Sequence, residues 1–222
     1  MESHVLFNLG PVEVTGQMIW TTVIVALLIT VGYFAGRKPQ LVPRGLQNAM
    51  EIAIEKLQNF FSSIVGEHLA KQYLPLFGTI FMFILVSNYF GLLPPMVMHL
   101  EGFAPPTSTI GVTAALAIFT FCATHYLGFK HNGVHYLKHF VSPYFFMLPF
   151  LLIEEIVRPI SLALRLFGNI YGEETVTAEI FHMLPMIVPI VFNVLGLLFG
   201  ALQALVFTIL SSIYISGAIG GH

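Results

Sequence analysis

The stretch Ser161-Leu162-Ala163-Leu164-Arg165-Leu166-Phe167-Gly168-Asn169 sets a guanidinium inside a long apolar run. Arginine stays charged at any physiological pH. At membrane depth such a group must face protein or water, and it marks an ion pathway by default. The bland reading is an arginine near a helix end whose head snorkels to the lipid headgroups. Roughly two turns of helix separate Arg165 from Arg158 on one side and from Glu173 on the other, which argues against that reading.

The rest of the composition agrees with a lipid surrounding. The chain has 222 residues, of which 56% are hydrophobic and only 9% charged. Soluble domains carry about 25% charged residues, and no soluble fold of this size could hide so much apolar surface. Aspartate is absent, and all eleven acids are glutamate. A net charge of −2 gives no footing for nucleic acid. Cys122, the single cysteine, lies in an apolar run and reads as a buried small hydrophobe. Glu2 and Glu13, with no Lys or Arg in the first 16 residues, are the opposite of a cleavable signal.

Hydrophobic periodicity divides the chain, and loop charges orient it. A first span over 17–35 contains Trp20 and is followed by Arg37, Lys38 and Arg44. That basic end is cytoplasmic and the amino terminus outside. Over 44–66, Leu46, Met50, Ala53, Leu57, Phe60 and Ile64 alternate with Gln47, Glu51, Glu55 and Gln58. This pattern is an amphipathic helix lying along the cytoplasmic surface or against a partner helix. A hairpin of spans follows, 74–93 and 110–129, with Pro94-Pro95 and Glu101 between them and no Lys or Arg there. Next comes the basic segment Lys130 to His139, again inside. Two long apolar arms close the chain, over 143–172 and 185–219. The second would be roughly 52 Å long as one helix, so it must tilt strongly or break. The expected fold is thus an all-α integral membrane protein, a single membrane domain over 1–222. It has an N-terminal span, a cytoplasmic amphipathic helix, a two-helix hairpin and two long tilted helices, and its carboxyl terminus is cytoplasmic.

The two arms carry a polar stripe. At 100° per residue, Glu154, Arg158, Ser161 and Asn169 fall within about 40° of Arg165. Glu155 and Glu173 lie about 80° away, and Glu174 falls on the opposite side. Glu154 and Arg158 stand in the favourable i,i+4 order, as a structural pair or as part of the stripe. Pro159 is a candidate kink. In the second arm Gly196, Gly200 and Ala204 form a small-xxx-small row that lets helices approach closely. Asn193 and Gln203 share roughly that face, either bonding a neighbouring helix or holding the Arg165 guanidinium without neutralising it. A cation path broken by a fixed positive charge cannot be continuous, so the ion must leave it on a moving partner.

Arg165-Leu166-Phe167-Gly168-Asn169, preceded by Arg158-Pro159 and followed by Glu174, resembles subunit a of F-type ATP synthases, in its bacterial and chloroplast forms. Leu202-Gln203-Ala204, Asn88-Tyr89-Phe90-Gly91-Leu92-Leu93-Pro94 and Pro43-Arg44-Gly45-Leu46-Gln47-Asn48 carry the same resemblance. It covers the chain from about residue 40 to the end. The resemblance implies a stator subunit with no active-site chemistry, cofactor or metal of its own, in a bacterial inner membrane. It implies as partners a ring of c subunits, each with a mid-membrane carboxyl, the b subunits of the peripheral stalk, and lipid. Arg165 matches the essential arginine facing that ring. Asn169, Glu174 and Gln203 match positions of the outer half-channel or the arginine's surroundings, with Glu173 and Asn88 beside them. Glu155 matches the inner half-channel acid, a role Glu154 could share. At Gly196 some relatives carry a histidine coupled to the acid at the Glu174 position, so Glu174 must work without it, with water or with His182.

Two other readings compete. His131, His135 and His139 fall at i, i+4 and i+8, with His125 near, and imidazole clusters hold iron in membrane oxygenases. Gly133 interrupts that row, and a solvated loop explains it as well. A stand-alone transporter would show internal symmetry and helices broken at mid-membrane, and no repeat is visible. The loop charges also predict a labelling pattern. With Cys122→Ala as background, Glu101→Cys should react with an impermeant thiol reagent from outside, and Lys138→Cys only from inside. Labelling from the opposite sides would overturn the orientation.

Overall fold

The computed structural model describes residues 5–9, 12–37, 45–91, 105–133, 136, 148–183 and 188–220. Lys38, Arg44, Pro94-Pro95, Glu101, His135, Lys138, His139 and residues 143–147 and 185–187 lie outside the described residues, as do the side chains of Glu174, His182 and Asn193. The described chain begins with an antiparallel ribbon of β1 (Val5–Leu9) and β2 (Val12–Thr15). Leu9 faces Val12 and Phe7 faces Val14, with an irregularity between Val5 and Phe7. The ribbon was not expected. Its residues are rich in Val, Leu and Phe, which suit a pleated surface, but the two segments are too short to stand out by periodicity. The membrane-embedded body beyond it is all-α.

Six helices follow. The first, α1 (Gly16–Gly36), is exposed along most of its length. In lipid every polar group must be satisfied internally, and Thr21, Thr22 and Thr30 bond the carbonyls of Gln17, Met18 and Ala26 at 2.7–2.8 Å. It packs Trp20 against Phe90, with ring centroids 5.1 Å apart, and buries Ile24. The amphipathic helix α2 (Leu46–Val65) runs into α3 (Glu67–Phe90) through one residue, Gly66. Gly66 has φ +86°, where a side chain would be strained, and its N–H closes on Ser62. The second span therefore starts seven residues earlier than hydropathy suggests, because Gly66 ends one helix and Glu67 begins the next, its carboxylate at a favourable helix N-terminus.

A buried 3-10 turn, Pro106–Ser108, leads into α4 (Ile110–Asn132), which ends at Gly133 with φ +53°. The first long arm is α5 (Leu148–Met183), 36 residues without interruption, and the second is α6 (Val188–Gly220), 33 residues. Neither breaks, so at roughly 50 Å each they span an approximately 30 Å hydrocarbon layer only when tilted. Pro159 is accommodated inside α5, and the helix does not unwind at Gly172.

Helices α3, α4, α5 and α6 pack into one bundle. Its centre is a cluster of Ile80, Ile84, Ala117, Leu162, Ala163, Leu166, Ala204 and Phe207. A second cluster seats α2 on the bundle through Phe61 and Val65, with Phe77, Leu127 and Ile215. Hydroxyls inside it bond their own helices, as Thr124 to Thr120 and Thr208 to Ala204, both at 2.8 Å. Asn132 at the end of α4 donates to the carbonyls of Ala218 and Ile219 at 2.9 and 3.2 Å, satisfying the open end of α6. The ends of α4 and α6 thus lie together, on the Lys130–His131 side.

The small-residue row of α6 works as its spacing suggests. Gly196, Gly200 and Ala204 are buried. A Cβ at Gly200 would lie 3.2 Å from Cβ of Asn88 on α3, with no flexible tip to yield. Gly200→Val should therefore destabilise the purified chain in detergent by about 1–3 kcal/mol, the usual cost of overpacking. Gly78→Ala, with nothing within 4 Å of the new carbon, should be neutral or stabilising by up to about 1 kcal/mol. Thermal unfolding of both variants checks the pair, and equal melting points would contradict the packing.

Candidate functional site

Arg165 lies on the outward face of α5. Leu162, Ala163, Leu166 and Ile170 turn inward and are buried, while Ile160, Leu164, Arg165 and Gly168 are exposed. The pattern follows from helical spacing: the buried residues recur at three and four positions, and Arg165 falls between them. No hydrogen bond or ion pair to Arg165 is formed among the described residues. Ser161 and Asn169, one turn to either side on that face, are half-buried, and the apolar Leu164 next to it is exposed. The facing helix α6 presents Leu195, Leu198, Phe199 and Leu202 outward in the same way. A permanent charge is therefore displayed beside exposed apolar side chains, on a surface that the described residues leave uncovered.

Gln203 sits just behind that surface. It is buried, and its neighbour Ala204 shares the central cluster with Leu162, Ala163 and Leu166. Among the described residues its amide nitrogen Nε2 is buried without a partner, and Arg165 forms no hydrogen bond to Gln203. Asn88 of α3 donates Nδ2 to the carbonyl of Gly200 at 2.9 Å. That leaves Asn88 Oδ1 buried and unpartnered, together with Ser87 Oγ, Thr107 Oγ1 and Thr109 Oγ1. Unpaired buried polar atoms are costly, and these five, on α3, on α6 and at Thr107 and Thr109, have no partner among the described residues.

Asn169 and Glu173 are half-buried farther along α5. Since α5 stays helical through Gly172, ideal geometry keeps Glu174 about 180° from Arg165 and Glu173 about 80° from it. The unwinding that would reconcile the motif with the geometry is not present.

The opposite end of the stripe is built more tightly. Arg158 donates Nη2 to Glu154 Oε1 at 2.6 Å and Nη1 to Glu155 Oε1 at 2.7 Å. The i,i+4 pair expected from spacing thus forms, and Glu155 joins it. The two acids differ in setting: the Glu154 side chain is 55% exposed, that of Glu155 only 18%. Glu155 is therefore the acid directed into the bundle. It shares a cleft between α4, α5 and α6 with Thr120, Phe121, Thr124, Arg158 and Tyr214. The Arg158 guanidinium lies 5.0 Å from the centroid of the Tyr214 ring.

Two groups beside that cleft were not singled out as pathway residues by their spacing. His125 of α4 holds its Nε2 3.7 Å from Glu155 Oε2 and its Nδ1 2.7 Å from the hydroxyl of Tyr136. Burial pushes the Tyr136 phenol up to about 12, Glu155 adding to the rise and Arg158 opposing it. Tyr136 therefore keeps its proton at physiological pH. His131 bonds a different tyrosine, Tyr73, at 2.7 Å. Among the described residues no three potential ligands converge on a metal position.

Comparison with known proteins bears on the whole chain. A family model described as ATP synthase A chain matches residues 18–216. The chain is 40% identical over 206 residues to ATP synthase subunit a of Trichlorobacter lovleyi, covering 91% of this chain and 86% of that protein. It is 38% identical over 218 residues to ATP synthase subunit a of Moorella thermoacetica, covering 98% and 96%. With ATP synthase subunit a of Gloeobacter violaceus it shares 41% identity over 223 residues, covering 99% and 90%.

Proposed function

The chain belongs to the ATP synthase A chain family, and on that premise we propose that it forms two offset aqueous half-channels separated by Arg165. As a member of that family it is a membrane subunit of a rotary ATP synthase and takes part in ion transport without catalysing the synthesis itself. The observation that carries the finer reading is the exposed Arg165, which has no partner among the described residues and stands beside exposed apolar side chains such as Leu164. Such a charge is costly against lipid. It is accommodated when a second membrane protein brings an ionised carboxylate to it, as a ring of c subunits does.

In this reading a proton from outside reaches a ring carboxylate near Glu174, Asn169 and Asn88. The neutral carboxyl can then enter lipid, where the charged form would be costly. After nearly a full turn of the ring it meets the inner half-channel at Glu155, with Glu154 at its mouth. Arg165 favours the ionised carboxylate, promotes release of the proton there, and stops protons passing directly between the two half-channels. Gln203 lines the arginine's side of the seam. The unpartnered polar atoms around Asn88 and Gln203 support water on the outer side, and the Glu155 cleft supports it on the inner side. The driving force is about 2.3 kcal/mol per charge per 100 mV. The orientation proposed has the amino terminus outside and the carboxyl terminus in the cytoplasm, in a bacterial inner membrane. The bond from Asn132 to the end of α6 supports this, because it puts that end on the basic side. The exposed α1 is available to the b subunits of the peripheral stalk and to lipid.

Arg165→Ala should abolish coupled ATP synthesis in membrane vesicles while the complex still assembles. Arg165→Lys should fail as well, since lysine is a compact charge that can lose its proton when buried. Wild-type synthesis rates in the alanine variant would end the reading.

A second experiment separates the two neighbouring acids. Glu174→Gln should slow ATP-driven proton pumping in inverted vesicles more than Glu173→Gln if the motif identifies the working group. Because α5 is continuous through Gly172, a larger defect in Glu173→Gln would mean that helical geometry identifies it instead.

A further inference from the structure

His125 is the one buried-facing imidazole in the described bundle that joins two titratable side chains from different elements. Its Nε2 looks toward Glu155 of α5 at 3.7 Å, and its Nδ1 meets the Tyr136 hydroxyl at 2.7 Å. The arrangement is built rather than incidental. Tyr136 is buried and lies flat against α4 at Gly128, where a Cβ would come within 2.6 Å of the ring. The Phe121 ring stands edge-on to the imidazole, centroids 4.2 Å apart, and fixes its plane. The groups facing this site are Glu155 and Arg158 from α5, Tyr136 from the segment after α4, and Tyr214 from α6 beyond Arg158. His125 lies about 10 Å along α4 from its basic end, and Glu155 about 15 Å along α5 from Arg165. The chain Glu155–His125–Tyr136 thus leads from the cleft toward the Lys130–His131 side.

We propose that His125 is a proton relay of the inner half-channel, carrying protons between the Glu155 carboxylate and water on the basic side by way of Tyr136. This rests on the reading of Glu155 as the inner acid. The step balances as follows. Protonated Glu155 gives its proton to Nε2 of neutral His125, and a water molecule spans the 3.7 Å gap. The imidazolium gives its Nδ1 proton to the oxygen of Tyr136, whose own hydroxyl proton passes to water. Glu155 is again a carboxylate and Tyr136 again neutral, and His125 is left protonated on Nε2; giving that proton to inner-side water and taking one from the same water onto Nδ1 restores the starting tautomer with no further net transfer. Imidazole suits this work because its two nitrogens exchange roles near neutral pH. During ATP-driven pumping the same steps run in reverse.

The test uses the whole ATP synthase in inverted vesicles, where the inner face meets the bulk buffer. His125→Gln keeps a polar side chain of similar reach but cannot carry a proton. It should lower ATP-driven proton pumping on the order of tenfold, the scale at which a positioned proton-transfer group is felt. The loss should deepen as the bulk pH rises, because free protons then become scarce, and added imidazole should restore much of the rate. Tyr136→Phe should show a smaller loss with the same pH trend. Co-purification of the intact complex checks assembly, and His125→Ala should respond to imidazole more strongly than the glutamine variant because it leaves space for it. Normal pumping in His125→Gln overturns the relay, as does a loss that is the same at every pH and unmoved by imidazole. Glu155→Gln is measured alongside. If it is impaired while His125→Gln is normal, the relay alone fails; if it is normal, the inner-acid reading fails with it.

Discussion

A guanidinium that cannot lose its charge, held on an outward face of a membrane helix, is the constraint around which this molecule is arranged. Lipid offers neither a hydrogen bond nor a counter-charge. The chain does not supply one at Arg165 either: among the described residues the side chain is unpaired, with Leu164 and Ile160 exposed beside it. Elsewhere the same physics is met internally. Threonine and serine hydroxyls turn back onto their own helices, and Arg158, also charged, is closed by two carboxylates and a tyrosine ring. The two arginines of α5 thus differ: Arg158 is paired within the chain, whereas Arg165 has no partner among the described residues.

The two polar regions of the bundle differ in kind. On the basic side, Arg158 bonds Glu155 and His125 bonds Tyr136, each at 2.7 Å, and His125 lies 3.7 Å from Glu155. Around Asn88 and Gln203 the buried polar atoms have no partner among the described residues. This difference in chemistry follows from where the acids lie in the sequence, close to Arg158 at one end and beyond Asn169 at the other.

Much of this was legible before any coordinates. Hydropathy marks α1 and α4 to within a few residues, and the three-to-four spacing from Leu46 to Ile64 marks α2 as amphipathic. The exceptional setting of Arg165 also follows from its apolar neighbours. What was not legible depends on contacts distant in sequence or on signals too short to register. The ribbon before α1 is nine residues of strand, too few for periodicity to speak. Hydropathy could not reveal that Gly66 joins α2 directly to α3, because Glu67 and Lys71 dilute the signal at the start of that helix. The first apolar arm reads as ending at Gly172, yet α5 continues past it to Met183. His125 read as one of a row of histidines along one stretch of chain, whereas its partners come from α5 and from Tyr136.

The side chain of Asn132 has a mechanical meaning beyond satisfying two carbonyls. It ties the last turn of α6 to the last turn of α4, while Ile215 of α6 packs with Phe61 of α2 in the same cluster. A sideways drag on the outward surface of α6 is therefore shared at once by a second membrane helix and by a helix of different orientation. Friction from a turning neighbour would load a triangulated frame instead of bending a single rod, and the free end of the most apolar helix would be its braced corner.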